Sequence, residues 1–103
     1  MIQVRAGQHA GHIVSLEVTG HSGSAEKGKD LVCAAVSAIS FGLCNALDRS
    51  GSDAEIKVEN NLIRIQSSGT DANTELILRT GLIQLKTVEE TNRSYLNIQT
   101  LEV

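Results

Sequence analysis

Aromatic side chains are nearly absent from this chain. Phe41 and Tyr95 are the only rings among 103 residues, and there is no tryptophan. Base stacking on aromatic platforms is therefore excluded as a binding mode, and the core has to be aliphatic. Positive charge is also scarce: nine Lys and Arg stand against twelve Asp and Glu, for a formal net charge of −3. Nucleic-acid binding needs clustered Lys and Arg, so no direct nucleic acid binding is expected. Mild acidity fits a basic peptide partner, but it is also the ordinary state of a cytosolic protein, and the second reading weighs more. Only two cysteines occur, Cys33 and Cys44. On one helix they would lie ~16 Å apart. A disulfide needs Cα atoms within about 7 Å, so no internal bridge is expected, and unbridged thiols fit a reducing compartment. Residues 1–5 alternate like a strand and lack the apolar run of a signal peptide. The longest apolar stretch, 31–47, is broken by Ser37 and Ser40. It falls short of the ~18 consecutive apolar residues of a membrane span. The expectation is a soluble, cytoplasmic protein without a membrane partner, in one domain over 1–103.

Hydrophobic periodicity sets out the elements. Residues 2–8 alternate as a strand with Ile2, Val4 and Ala6 on one face. After a turn over Gln8 to Gly11, residues 12–19 form a second strand, with Val14, Leu16 and Val18 inward. The short link makes a hairpin. Leu31 to about Leu47 reads as a helix that is apolar nearly all round. Such a helix should be central, covered by sheet on one side and by a helix or a second subunit on another. Residues 54–59 and about 62–67 read as strands carrying Ile56 and Val58, then Ile63 and Ile65. Asn60-Asn61 between them suits a tight hairpin. An amphipathic helix follows over 72–90, with Leu78, Leu82 and Leu85 as its stripe. Gly81 inside it suggests a close crossing, since glycine there costs ~1 kcal/mol relative to alanine. A last strand covers 94–103. The order is β-β-α-β-β-α-β, an α+β fold. Its mixed or antiparallel sheet is packed with a buried central helix and a second, amphipathic helix.

The chemistry concentrates between Gly20 and Leu47. Asp30 is the natural N-cap of the apolar helix and Cys33 occupies its third position. The first turn carries unpaired amides and the positive end of the macrodipole, which favours a thiolate. His21 lies twelve residues before Cys33, across a polar loop that includes Gly23 and Gly28. Folding back would set imidazole beside sulfur. Cys–His is the minimal pair for attack on an amide carbonyl. First-turn amides, that of Cys33 among them, are candidate donors to the oxyanion. The 22–29 loop reads equally as a surface connection or as a lid over bound peptide. Ser37 lies one turn after Cys33 on the same face. Its hydroxyl either serves the site or bonds back to the Cys33 carbonyl, and for a lone serine the second is favoured. His9, His12, His21 and Cys33 make a poor ligand set, because hairpin-turn histidines are usually solvated, so neither a metal nor a cofactor is expected. Cys44 reads as a core residue.

Gly20-His21, Gly28-x-Asp30-x-x-Cys33-Ala34 and Ser37 together resemble the motif of the ribosomal-processing cysteine proteases called Prp. The similarity continues through Phe41-Gly42-x-x-Asn45-Ala46 and reappears at Leu76-Ile77-Leu78-Arg79-Thr80 and Thr87-Val88-Glu89-Glu90. The resemblance implies a cytoplasmic, homodimeric endopeptidase. Its partner would be the N-terminal extension of a large-subunit ribosomal protein, the twenty-seventh, removed for ribosome assembly. It makes His21 and Cys33 the catalytic pair, with Gly20, Gly28, Asp30 and Ser37 supporting or binding substrate, and it favours the lid. The alternative is a non-catalytic, ribosome-associated module that holds a peptide or RNA in the same groove.

Overall fold

A computed structural model describes residues 1–20 and 30–103. Its elements are β1 (Ile2–His9), β2 (His12–Thr19), α1 (Leu31–Arg49), β3 (Glu55–Glu59), β4 (Leu62–Gln66), α2 (Ala72–Glu90) and β5 (Leu96–Glu102). The element order is the expected one. The strands form one sheet in the order β3-β4-β2-β1-β5. β5 runs parallel to β1 and the other pairs are antiparallel, so the sheet is mixed.

Both helices cover one face of this sheet. The core joins Val4, Leu16, Val18, Ile65 and Leu96 of the sheet to Val36 and Leu47 of α1 and Leu78 and Leu85 of α2. The opposite face is polar. There Arg64 Nε donates to Glu17 Oε2 at 2.9 Å and Asn97 Nδ2 to Gln3 Oε1 at 2.9 Å, both across register pairs. An exposed ion pair contributes about 0–1 kcal/mol, whereas burying one Leu, Ile or Val contributes about 1.5–3 kcal/mol. The apolar layer therefore holds the fold.

Local chemistry sets the element ends. Asp30 caps α1 by accepting from Cys33 N at 3.0 Å, and Asp71 caps α2 by accepting from Asn73 N at 3.0 Å. Ala10 and Gly11 turn the first hairpin with φ of 51° and 81°, and Asn61 turns the second with φ of 61°. The β1–β2 register shifts between Gly7 and Gln8. Such a bulge interrupts strict alternation, which is why Ile13 and Val14 are both buried.

α1 is long and apolar enough, by length and composition, to cross a membrane. Val32, Val36, Leu43 and Leu47 instead pack in the core beneath it. α2 flanks α1, and Ala38, Gly42 and Ala46 remain exposed along the outer side. The crossing at Gly81 is close, as its position suggested. An added Cβ would meet Leu43 Cδ1 and Cδ2 and come within 2.7 Å of Cγ. Overpacking of that kind costs about 1–3 kcal/mol and outweighs the ~1 kcal/mol that alanine would return in helix propensity.

The turn of the first hairpin is tied to α2 through one carboxylate. Glu75 Oε2 accepts from Ile13 N at 2.8 Å and from Arg79 Nη2 at 2.9 Å, and the same Nη2 donates to Gly11 O at 2.7 Å. The Arg79 hydrogen bond is the main cause holding the Glu75 carboxyl below its usual range, with the Ile13 amide adding to it. A carboxyl depressed on folding stabilises above its unfolded pKa, and that contribution is lost as pH falls through the folded value. Urea titrations from pH 6 to pH 3 are expected to show stability falling less steeply in Glu75→Gln than in the wild type. Equal slopes would assign the acid sensitivity to other groups.

Candidate active site

β2 ends where the chain must leave the sheet. Gly20 N donates to Asn61 O at 3.3 Å, which ties this end to the β3–β4 turn. Gly20 has φ of +88°, and a Cβ there would lie 2.6 Å from Met1 O. Both facts require glycine at the exit. The next residue, His21, lies outside the described residues, as do Gly28 and the whole 22–29 loop. Asp30 re-enters as the cap of α1.

Cys33 sits in the first turn of α1 and is half-buried. It opens on a groove of about 290 Å³ between α1 and the β3–β4 hairpin. The α1 wall presents Cys33, Ser37, Ser40 and Phe41; Val58, Asn61 and Leu62 face it from the hairpin, and Gly20 closes the end near β2. The structure thus brings Gly20, Cys33 and Ser37 to one groove, and Asp30 is joined to Cys33 through the cap. Phe41 is half-exposed there, so one of the two rings in the chain lines the candidate site. Among the described residues no group of three His, Cys, Asp or Glu side chains converges as metal ligands would. His9 instead donates from Nδ1 to Val103 O at 2.8 Å, at the far end of the hairpin.

The cap changes the reading of the oxyanion donors. The Cys33 amide already gives its hydrogen to Asp30 Oδ1. A developing oxyanion would compete with a carboxylate for it, leaving the first-turn amides of Leu31 and Val32 as the donors without an earlier helical acceptor.

Residues that spacing alone did not single out complete the groove. Val58 lies on the core side of β3, paired with Ile63, yet is 51% exposed. β3 is an edge strand, and its inner face forms a groove wall rather than core. Asn61 was legible as a turn residue but not as a groove residue.

A thiol at a helix start that opens on a groove is an arrangement suited to a cysteine nucleophile. Comparison with known proteins agrees and is more specific. The model of the family described as cysteine protease Prp matches residues 1–97. The ribosomal processing cysteine protease Prp of Staphylococcus aureus strain Mu50 is 34% identical over 84 residues, spanning 78% of this chain and 79% of that relative. A crystal structure of the essential ribosomal processing protease Prp from S. aureus, with a covalently linked product peptide, superposes with a TM-score of 0.93. It has 28% identity and covers 98% of this chain and 100% of that one. A second, with a substrate peptide, superposes with a TM-score of 0.87 at 27% identity, over 98% of this chain and 100% of that one. This chain belongs to the Prp family of ribosomal-processing cysteine proteases.

The second thiol provides an internal reference. Cys44 packs against the core, and burial pushes its thiol up from the usual value. Iodoacetamide at neutral pH is expected to modify Cys33 at least tenfold faster than Cys44, as read by peptide mass mapping. Faster labelling of Cys44 would contradict an active thiol at the helix start.

Proposed function

We propose that this protease removes the N-terminal extension of the twenty-seventh large-subunit ribosomal protein, acting as a cytoplasmic homodimer with His21 and Cys33 as its catalytic pair. One observation carries the reading: the Cys33 thiol stands in the first turn of α1 and lines a groove of about 290 Å³. Covalent attachment of product peptide in the S. aureus relative supports a covalent route.

In the proposed chemistry the Cys33 thiolate attacks the scissile carbonyl carbon. The His21 imidazolium then gives its proton to the leaving amine as the C–N bond breaks. A thioester to the N-terminal fragment remains. Water, deprotonated by neutral His21, hydrolyses it and returns the thiol. No metal or cofactor enters either step. Asp30 serves by fixing the helix start, and Ser37 by lining the path of the peptide. Gly20 sets where the connecting loop leaves the sheet, and that loop, which contains Gly28, would act as the lid.

The homodimer reading is supported by exposed apolar surface on the helical layer. Leu76, 62% exposed, shares a shallow cleft with the small residues Ala38, Gly42 and Ala46 of α1, and Ile83 of the same helix is 58% exposed. Light scattering is expected to give about twice the 11.0 kDa chain mass. A monomer at working concentration would contradict the dimer.

The cleavage reading is tested with a peptide that spans the extension and its junction. Wild type is expected to split it into two masses, and Cys33→Ala and His21→Ala to lose more than a thousandfold in rate. Unimpaired cleavage by Cys33→Ala would sink the mechanism. Tight binding by wild type without any cleavage would favour a peptide-holding module instead.

A further inference from the structure

Ser40 is out of place as a structural residue. It lies in the middle of α1 and is 1% exposed. Among the described residues its Oγ is the one buried side-chain polar atom without a hydrogen-bond partner. Helical hydroxyls usually settle this by bonding to the carbonyl four residues back, and in α2 they do. Thr80 donates to Leu76 O at 2.7 Å and Thr87 to Ile83 O at 2.9 Å. The buried Thr74 hydroxyl donates to Asp71 Oδ2 at 2.7 Å. An unmatched buried hydroxyl destabilises a fold, so a group kept in that state calls for a partner that arrives later.

The position says where that partner comes from. Ser40 lines the same groove as Cys33 and Ser37. These three recur at helical spacing along one stripe of α1. Most of the remaining lining is aliphatic: Ile2, Val18, Val36, Val58, Leu62 and Ile63. A peptide laid along such walls can bury apolar side chains, but each of its backbone amides still needs a partner once water leaves. Beyond its first turn a helix wall offers no backbone groups, because its own N–H and C=O groups are spent on i→i−4 bonds. Past the first turn, the polar groups of α1 that line the groove are the hydroxyls of Ser37 and Ser40.

We infer that Ser40 is a substrate-binding residue whose hydroxyl pairs with a main-chain amide group of the bound peptide about three residues from the scissile bond. Seven helical residues separate Cys33 from Ser40, a rise of ~10 Å. An extended chain covers that in about three residues at ~3.3 Å each. Because the contact is to backbone, it adds affinity whatever side chain the substrate carries there, and it favours substrates that extend far enough to reach it. The inference deepens the peptidase reading and rests on it.

Ser40→Ala removes the hydroxyl without changing the packing. Its melting temperature is expected to equal or exceed that of the wild type, since an unmatched buried hydroxyl is lost. For the full junction peptide, KM is expected to rise about three- to tenfold with kcat little changed, as for loss of one neutral hydrogen bond. For peptides truncated to two residues on each side of the scissile bond, the two enzymes should match. A scan replacing one amide at a time by an ester should find a position, about three residues from the cut, that weakens the wild type by a similar factor. That replacement should cost Ser40→Ala nothing more. An unchanged KM, or an ester effect equally large in both enzymes, would overturn the role of Ser40 while leaving the peptidase intact. Failure of the wild type to cleave any peptide would defeat the peptidase reading and this one with it.

Discussion

A helix can begin only where something accepts from the amides of its first turn, and in this chain that acceptor is Asp30. Its carboxylate meets the Cys33 amide at 3.0 Å, and its carbonyl accepts from Ala34 N at 3.0 Å. Those two bonds hold the first turn of α1 helical up to Cys33. The packing of Val32, Val36, Leu43 and Leu47 in the core fixes the rotation of the helix and so which residues face the groove. Neighbouring residues lie about 100° apart around the axis, given 3.6 residues per turn, so Cys33 faces the groove only while that packing and the first turn both hold. Cap and core together place the site before any catalytic chemistry is invoked.

The sheet completes what the cap starts. β2 is held between β1 and β4, so its end at Gly20 is fixed against both Met1 and the Asn61 turn. The chain leaves the sheet beside the start of α1 and returns to it at Asp30. The β3–β4 hairpin reaches past the helical cover, and Ile56 and Val58 remain exposed on its inner side. One face of a single sheet therefore provides a sealed core under α2 and an open groove under the first half of α1. The α1 wall of that groove carries the small Cys33, Ser37 and Ser40 beside Val36 and Phe41.

Much of this was legible in the sequence, for physical reasons that also mark its limits. The helices from Leu31 and over Ala72–Glu90 were readable because Asp30 and Asp71 are strong caps and the apolar spacing is regular. The first hairpin was readable from alternation, except at the bulge, where Ile13 joins Val14 inside. The parallel pairing of β5 with β1 was not, because periodicity describes each strand and says nothing of its neighbours. Alternation set Ile56 and Val58 on one face of a strand, but it cannot distinguish a covered face from an uncovered one. Cys33 and Asp30 were legible as a pair through their spacing, but the cost of the cap, an amide withdrawn from oxyanion duty, needed coordinates. Ser40 passed for one more break in an apolar run until its missing partner was visible.

The central claim is that Cys33 forms the covalent bond to substrate. Acid-quenching a reaction of wild-type enzyme with the junction peptide within the first turnover, then mapping the protein by mass spectrometry, tests it most directly. The account requires an adduct with the mass of the acyl fragment on the segment containing Cys33, decaying as product appears. Turnover with the adduct on another residue would contradict it.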